Sequence, residues 1–312
     1  MISHQDIKFT IIPDPRKWEI TWQSSYDKSL LLFLTGKCNL NCTNCFSVTS
    51  RGTLEMTLDQ VCNIVDANPS FKKVDLMGGE PLLHPNISEI IDKLMTRGKN
   101  VTIYTNGILL NRLDCGIMPV RACVSFHEID SDNPSRKPLR LIQKNLTKFV
   151  DIGNALKLVF LLDQWNANKA LDIIEFVDRE MPFIKKLTLG LMRYENDYWN
   201  DDQYGVLPFA DYANTIRHIL NEYDGRLSFD VFLKGVLEFN NCPADIPNRT
   251  NRFKCVFPDY SFSHCLFSVS NEHQPLPTSL ILPQEYDLCS HTGRKSCLAD
   301  KVRLNRVFKE KR

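Results

Sequence analysis

The sequence predicts an α/β fold in which six short strands alternate with mostly helical connections. Short apolar runs that end at glycine or at polar residues are typical of buried strands. Between these runs, apolar residues recur every three or four positions, which is the spacing of an amphipathic helix. Because six units are too few for a closed eight-fold barrel, the alternation indicates an open, partial barrel or a doubly wound sheet.

The predicted strands lie between residues 29 and 191. The first, Ser29–Thr35, is an apolar run bounded by glycine, and the second, Lys73–Met77, ends at a pair of glycines. The other four are Asn100–Tyr104, Arg121–Phe126, Ala155–Leu162 and Ile184–Leu191. In a parallel sheet of this kind, the loops at the carboxyl ends of the strands form the working face.

Apolar spacing predicts five helices. The first spans Thr57–Ala67, and Thr57 and Gln60 have the spacing of a capping box at its start. The other four are Asn86–Arg97, Leu139–Val150, Asn166–Arg179 and Phe209–Tyr223.

The two ends of the chain differ from this alternating region. Residues 1–28 form an N-terminal extension in which Lys8–Ile12 and Trp18–Trp22 are predicted to pair as a hairpin. The alternation ends near Gly225, after which proline and cysteine become frequent. We therefore expect a partial barrel over residues 29–225 and a small cysteine-rich domain of hairpin and helix over residues 226–312.

Composition excludes several classes of protein. The chain has 312 residues, of which 43% are hydrophobic and 24% charged, as in ordinary globular proteins. With 38 basic and 37 acidic residues, the net charge of +1 argues against nucleic-acid binding through a basic surface. No apolar run approaches the roughly 20 residues of a membrane helix, and no signal peptide is recognisable. We expect a cytoplasmic protein with no membrane or nucleic-acid partner.

Cysteine usage is unusual for such a protein, because eleven cysteines occur where disulfides are rare. Cys38, Cys42 and Cys45 occupy one short loop directly after the first strand. Closely spaced thiolates are the usual ligands of iron–sulfur clusters, and three of them leave one metal position open for a ligand. The alternatives are half of a zinc site or three buried thiols.

This CxxxCxxC loop resembles the signature of the radical SAM superfamily. The resemblance implies a partial (β/α)6 barrel of the TIM type and a 4Fe–4S cluster held by the three cysteines. It also implies S-adenosylmethionine (SAM), whose amino and carboxylate groups bind the fourth iron, and an external electron donor of the flavodoxin or ferredoxin type. Reductive cleavage of SAM would then yield a 5′-deoxyadenosyl radical.

Further positions agree with the family. Gly78-Gly79-Glu80-Pro81 matches its GGEP motif, which contacts the amino group of SAM, and Thr105-Asn106-Gly107 matches a common TNG motif. The resemblance adds Ser125, Asn166 and Phe46 to the residues expected to bind SAM, and Arg193 is a candidate partner for the SAM carboxylate. Two positions depart from the pattern, since Asn44 replaces the usual aromatic residue and His127 replaces an aspartate.

The fourth strand supplies two candidate catalytic residues. Cys123, Ser125 and His127 alternate and are therefore predicted to share one side of the strand. If that side lines the active site, Cys123 can donate a hydrogen atom to a substrate radical and His127 can act as acid or base. The alternative for Cys123 is a small core residue. Cys115 is a second possible donor.

The C-terminal cysteines predict a second metal site. Cys255 and Cys265 flank Pro258-Asp259-Tyr260-Ser261, which is the pattern of a β-hairpin. The segment resembles SPASM and twitch domains, which carry auxiliary 4Fe–4S clusters, although Tyr260 stands where those domains have glycine. The candidate ligands are Cys242, Cys255, Cys265, Cys289 and Cys297. Zinc is the alternative metal, with His264, His273 and His291 as further ligands.

Three functions are compatible with these features. The first is a radical SAM enzyme that abstracts a hydrogen atom from a small molecule in order to oxidise or rearrange it. The second is a radical SAM maturase that cross-links or epimerises a peptide. About 28 residues before the first strand are too few for a leader-binding domain, which favours the small molecule. The third is a non-catalytic iron–sulfur or zinc protein.

Overall fold

A computed structural model describes most of the alternating region and parts of both ends. The described residues are 18–22, 29–42, 45, 47, 51–113, 119–132, 136–191, 205–232, 253–263, 274–282 and 301–306.

Within these ranges, the strands are β1 (Trp18–Trp22), β2 (Ser29–Thr35), β3 (Lys73–Gly78), β4 (Asn100–Thr105), β5 (Arg121–Phe126), β6 (Ala155–Leu162), β7 (Lys186–Leu191), β8 (Ser228–Phe232), β9 (Phe253–Val256), β10 (Ser261–Ser263), β11 (Gln274–Pro275) and β12 (Lys301–Arg306). The α-helices are α1 (Leu58–Ala67), α2 (Ile87–Thr96), α3 (Leu139–Asp151), α4 (Ala170–Glu180) and α5 (Phe209–Glu222). Short 3₁₀ turns span Pro81–Leu83, Leu110–Arg112 and Ala167–Lys169.

All of these strands belong to one sheet, in the order β1-β12-β8-β7-β6-β5-β4-β3-β2-β9-β10-β11. Strands β2 to β8 pair in parallel with their neighbours, and β9 pairs in parallel with β2. Since the connections along this run carry the helices, the predicted α/β class is confirmed. The carboxyl ends of the parallel strands lie at one edge of the sheet, where the conserved geometry of such folds places ligands.

The main core lies between the sheet and the helices. Leu30, Leu32 and Leu34 of β2 point into it, as do Val61 and Ile64 of α1. The helix begins at the predicted capping box, since the Thr57 hydroxyl accepts from the Gln60 amide and the Gln60 side chain accepts from the Thr57 amide. Alternate residues of the strands point to the opposite side of the sheet, which we call the inner face.

The alternation continues past its predicted end. β8 follows α5 and pairs in parallel with β7, whereas the sequence analysis ended the strand–helix rhythm near Gly225. Phe229 and Val231 of β8 join the main core, but Ser228 and Asp230 alternate with them. This half-polar pattern in a five-residue strand explains why the apolar-run criterion missed β8.

The described C-terminal strands pair with the outermost parallel strands, β2 and β8, and so widen the same sheet on both sides. β9 and β10 form the predicted hairpin beside β2, and Tyr260 adopts a φ of 60° in its turn. Tyr260 thus takes the left-handed conformation that glycine would supply at this position. At the other edge, β12 pairs with β8 and β1 pairs with β12, while Lys8–Ile12 lies outside the described residues. The division of the chain near residues 28 and 225 stays a prediction.

No helix in the described ranges is both long enough and apolar enough to cross a lipid bilayer.

Candidate active site

The three-cysteine loop leaves the sheet at the carboxyl end of β2. Cys38, Cys42 and Cys45 are each half-buried, and they lie close enough to one another for their charges to interact. Burial raises the pKa of the Cys38 and Cys42 thiols, and the neighbouring thiols contribute to the increase. A bound metal would have to displace these protons, because the thiolate is the form that ligates metal.

The arrangement of these thiols bears on which metal they can hold. In the part of the chain that the structure describes, no three His, Cys, Asp or Glu side chains converge where a single metal ion would sit. A zinc ion needs ligands that converge at about 2.0–2.3 Å from one point. In an iron–sulfur cluster each thiolate can bind a different iron, so the sulfur atoms need only surround a larger group. An all-thiolate donor set on one loop is suited to an iron–sulfur cluster.

Gly78 and Gly79 hold this loop against the end of β3. The Gly79 amide donates to the Thr35 carbonyl at 2.8 Å, and the Glu80 amide donates to the Lys37 carbonyl at 2.8 Å. A Cβ on Gly78 would lie 2.4 Å from the Thr35 oxygen, and one on Gly79 would lie 2.2 Å from the Lys37 oxygen. Both positions thus require glycine for the approach of backbone to backbone, before any ligand is considered.

Glu80 joins the segments that follow β3 and β4. Its carboxylate accepts hydrogen bonds from the Thr105 hydroxyl at 2.7 Å, the Asn106 amide at 2.9 Å and the Leu82 amide at 3.1 Å. The side chain is completely buried, and burial raises the pKa of its carboxyl group. Pro81 follows at the first position of the 3₁₀ turn, where its missing amide hydrogen costs nothing. The GGEP and TNG motifs are therefore parts of one hydrogen-bonded unit.

Asn106 connects this unit to the cysteine loop. Its side-chain amide donates to the Asn39 oxygen at 2.8 Å, and Asn39 directly follows Cys38. The Asn106 oxygen in turn accepts from the Ile108 amide at 3.0 Å, which fixes the orientation of the side chain. The ends of β2, β3 and β4 are thus fastened together around the three thiols.

Ser125 of β5 brings in a cation that the sequence analysis missed. The Lys137 ammonium donates to the Ser125 hydroxyl at 2.6 Å, and its charge acts on Cys42, Glu80 and His127. Lys137 therefore lies among the candidate residues of three separate segments. A single lysine in front of the α3 helix carries no motif, so its position is visible only in the fold.

His127, immediately after β5, is 2% exposed, and neither ring nitrogen has a hydrogen-bond partner among the described residues. Burial lowers its pKa well below the usual range, and the charges of Lys137 and Arg136 add to the effect. The imidazole is therefore neutral at neutral pH, with an unused donor and acceptor. A buried polar group without partners is uncommon and needs a functional or structural reason.

Asn166, predicted to contact SAM, serves as a brace between strand ends. It is fully buried and donates to the carbonyls of His127 at 2.7 Å and Leu161 at 3.0 Å. Its oxygen accepts from the Asp163 amide at 2.9 Å, so the side chain makes hydrogen bonds at both ends. These bonds turn the segment into a 3₁₀ turn, and α4 starts at Ala170 rather than at the predicted Asn166.

Arg136 lies beside this brace. It forms ion pairs with Glu128 at 3.1 Å and with Asp163 at 3.3 Å, and it lies 5.3 Å from the centre of the Trp165 ring. The next residue along the chain is Lys137, so this network fixes the backbone that presents the Lys137 ammonium. None of these residues belongs to a recognisable motif, and the sequence analysis missed them.

Cys123 lies on the inner face of β5, on the same side of the strand as Ser125, and is 8% exposed. Its neighbours in register are Tyr104 of β4 and Lys157 of β6. Burial raises the pKa of the Tyr104 hydroxyl well above its usual range, with Asp75 and Cys123 contributing. Cys123 is thus placed on the predicted side of the strand, and its role as a hydrogen-atom donor stays a prediction.

Several predicted site residues lie outside the described ranges. They are Phe46, Arg193, Cys115, Cys242, Cys265, Cys289 and Cys297, together with His264, His273 and His291. Among the C-terminal cysteines, the structure therefore describes Cys255. It is fully buried in a small apolar cluster with Leu31, Phe33, Met77 and Phe257 on the inner face. The ring of Phe257 stacks on that of Phe33 with centroids 4.5 Å apart.

Comparison with known families identifies the region that holds this site. Residues 32–140 match the family model of the radical SAM superfamily. Residues 32–140 are therefore a radical SAM domain. The matched segment begins in β2 and ends at the start of α3, so it contains the cysteine loop, the GGEP and TNG motifs, Ser125 and Lys137.

Sequence relatives of this chain include two cyclases. A probable GTP 3′,8-cyclase of Methanothermobacter thermautotrophicus is 30% identical over 162 residues, which are 47% of this chain and 53% of that protein. A GTP 3′,8-cyclase of Clostridium perfringens is 28% identical over 183 residues, covering 52% and 56% of the two chains. The chain thus spans about half the length of the curated relatives that it matches.

Solved structures extend the fold similarity beyond the matched segment. Streptococcus suis SuiB superposes with a TM-score of 0.63 over 85% of this chain and 67% of SuiB, at 13% identity. Native anSMEcpe with bound AdoMet superposes with a TM-score of 0.58 over 81% of this chain and 78% of that one, at 18% identity. At these identities the likeness establishes the fold of this chain and nothing further.

Proposed function

We propose that this chain is a cytoplasmic radical SAM enzyme that abstracts a hydrogen atom from a small-molecule substrate. A 4Fe–4S cluster on Cys38, Cys42 and Cys45, reduced by an external donor of the flavodoxin or ferredoxin type, would supply the electron that cleaves SAM to a 5′-deoxyadenosyl radical. The observation that carries the proposal is the placement of three thiols on one loop, fastened through Glu80 and Asn106 to the ends of β3 and β4.

The chain's own residues provide complementary groups for SAM around this loop. Lys137 is the described cation nearest to Ser125, and its ammonium is suited to a carboxylate. We propose that Lys137, rather than Arg193, pairs with the SAM carboxylate. The Glu80 carboxylate accepts three hydrogen bonds but offers about four lone-pair positions, so it can still orient an ammonium group. Gly78, Gly79 and Thr105 shape the backbone around it.

His127 is proposed to exchange a proton with the substrate. The neutral ring offers an acceptor nitrogen and a donor nitrogen, and neither is used by the described residues. Lys137 and Arg136 disfavour a second positive charge here, so a proton accepted by His127 would be passed on readily. Cys123, which precedes His127 on β5, is the proposed source of a hydrogen atom for a substrate radical.

The names of the sequence relatives indicate which substrate to test first. Those near 30% identity are named for GTP, so a purine nucleotide is the first candidate, although the alignment covers only half of each relative. Lys157 on the inner face lies beside Cys123 and would be suited to a phosphate group. The peptide alternative rests on fold likeness alone, since SuiB, crystallised with its precursor peptide SuiA, is 13% identical to this chain.

Hydrogen-atom abstraction has a direct test. The reconstituted protein is incubated with SAM, dithionite and substrate deuterated at the candidate carbon, and the 5′-deoxyadenosine is analysed by mass spectrometry. We expect deuterium in the 5′-deoxyadenosine with GTP or a related nucleotide. Transfer from a peptide and from no nucleotide would replace the small-molecule proposal with the maturase. Cluster formation without any SAM cleavage would favour a non-catalytic iron–sulfur protein.

We also propose an auxiliary 4Fe–4S cluster in the C-terminal segment. Cys255 supports a site next to β2, because β9 pairs with β2 there, and the other ligands would come from Cys242, Cys265, Cys289 and Cys297. A variant with Cys38, Cys42 and Cys45 all replaced by Ala isolates this site. We expect it to retain about four irons with matching sulfide. One zinc and no sulfide would make the site structural.

A further inference from the structure

Arg51 lies in the segment that follows the cysteine loop and leads to α1, and its side chain reaches back to the loop. One of its terminal nitrogens, Nη1, donates to the Leu40 carbonyl at 2.7 Å, in the middle of the loop. The charge of the guanidinium also acts on Cys45. The side chain thus holds the segment between Cys38 and Cys42 and places a cation near the third cysteine.

The Nε atom of Arg51 is buried without an acceptor among the described residues. Such an orphaned donor is costly in a protein interior, and it is more so on a cation. Arg51 lies among the three thiols, and its charge acts on Cys38 and Cys42 as well as on Cys45. Sulfide and thiolate sulfurs of a cluster held by these cysteines would supply acceptors near this guanidinium.

Lys37, another cation next to the loop, behaves differently. Lys37 forms an ion pair with Glu55 at 2.9 Å, and 48% of its side chain is exposed to solvent. Water and salt screen an exposed charge, and the carboxylate beside it cancels much of its field. Arg51 instead combines a half-buried positive charge with a hydrogen bond to the backbone of the cysteine loop.

We propose that Arg51 is a positioning residue that clamps the cysteine loop and donates hydrogen bonds to the sulfurs of the cluster, which makes the cluster easier to reduce. The inference rests on the proposed function, since it requires a cluster on Cys38, Cys42 and Cys45. Hydrogen bonds to sulfur and the net charge around a cluster are among the factors that set its reduction potential. Reduction adds one electron, and a nearby cation stabilises the more negative product.

The test compares Arg51→Gln and Arg51→Lys with the wild-type protein, in the Cys255→Ser background if the auxiliary cluster complicates the spectra. Iron and sulfide are quantified first, and the reduction potential is then measured by an EPR-monitored titration with dithionite. For Arg51→Gln we expect the equilibrium constant for reduction to fall at least tenfold, which is about 59 mV for a one-electron couple. Arg51→Lys should recover part of the loss, because it retains the charge without the planar fork.

The matched control is Lys37→Gln, which removes one exposed positive charge from the same loop and should leave the potential near the wild-type value. Unchanged potential in Arg51→Gln with a full complement of iron would overturn the inference. Loss of iron from both Arg51 variants would also contradict an effect of Arg51 on the reduction potential. Only its hydrogen bond to the Leu40 carbonyl would then remain as a role. A wild-type protein that forms no cluster would instead refute the proposed function, so the two failures are distinguishable.

Discussion

Glu80 accepts hydrogen bonds from its own 3₁₀ turn and from the segment at the end of β4, and it does so where water does not reach. A carboxylate is suited to this position because it is purely an acceptor when ionised, and three donors point at it. Hydrogen bonds to a charged acceptor are stronger than those between neutral groups. The residue therefore stabilises the geometry of the site as well as presenting charge to it.

Replacing Glu80 measures this structural role. In Glu80→Ala, the Thr105 hydroxyl and the Asn106 and Leu82 amides lose their acceptor, and each unsatisfied buried group costs about 1–3 kcal/mol. We expect the free energy of unfolding to fall by at least about 3 kcal/mol, with Glu80→Gln intermediate because its amide oxygen still accepts. Anaerobic urea denaturation measures this, with exposed Glu175→Ala on α4 as the control. Equal stability of the two Ala variants would contradict the assignment.

His127 makes stability depend on pH. Because its pKa is depressed in the folded protein, the unfolded chain binds the proton more readily, and stability is lost as pH falls from about 6.5 toward the folded value. The slope from one such group is at most about 1.4 kcal/mol per pH unit. We expect His127→Leu to lose less stability than the wild type between pH 7 and pH 5.5.

Urea denaturation at several pH values measures the slope for His127→Leu. The control is His218→Gln, which changes an exposed histidine of α5 and should keep the wild-type slope. If His127→Leu retained the full wild-type slope, another group would be responsible for the acid sensitivity.

At this scale, motifs identified those residues whose spacing is tied to backbone chemistry. The three cysteines, the glycine pair and the TNG segment follow strand ends, so their order along the chain placed them at one edge of the sheet. Lys137 and Arg51 could not be found in this way. Each is a single cation whose partners come from other segments, and only the folded chain brings them together.

At the scale of elements, the junction between β2 and β3 determines where the cysteine loop sits. The backbone of Gly79 approaches that of Lys37 so closely that a methyl group has no space. The contact is between backbones, which cannot rotate aside as a flexible side chain can. The position of the cysteine loop therefore depends on the position of the GGEP segment.

Gly79→Ala tests this junction. Its Cβ would lie 2.2 Å from the Lys37 oxygen, so the loop must shift away from β3. We expect a loss of about 1–3 kcal/mol in the free energy of unfolding and a lower iron content after reconstitution. The control is Gly52→Ala in the return of the loop, where nothing lies within 4 Å of the added atom. Equal iron content in the two variants would show that the junction does not position the cysteines.

Strand and helix boundaries followed from the sequence wherever the pattern of apolar residues was strong. Arg121–Phe126 and Ala155–Leu162 agree with β5 and β6, and the Thr57 capping box marks the start of α1. The pattern was weak for β8, whose inner residues are polar, and misleading at Asn166, whose side chain braces the strands instead of entering the helix. Long-range hydrogen bonding decided both cases.

At the scale of the whole molecule, the sheet explains how the site can be assembled from distant segments. Strands β2 to β8 run in parallel, so the cysteine loop, Glu80, Asn106 and Asn166 follow carboxyl ends on one side of the sheet, and Ser125 lies near the carboxyl end of β5. β9 extends the sheet beside β2 and covers part of the inner face with the apolar cluster around Phe257. The sequence predicted the parallel region, but spacing alone could not predict that later strands join both edges.

The formation of 5′-deoxyadenosine tests the central claim most directly. The wild-type protein and a variant with Cys38, Cys42 and Cys45 replaced by Ala are reconstituted anaerobically with iron and sulfide, then incubated with SAM and dithionite. We expect the wild type to produce 5′-deoxyadenosine and the variant to produce none while retaining its fold by circular dichroism. A fully loaded wild-type cluster that leaves SAM intact, or cleavage that continues in the variant, would contradict the assignment of radical SAM chemistry to this loop.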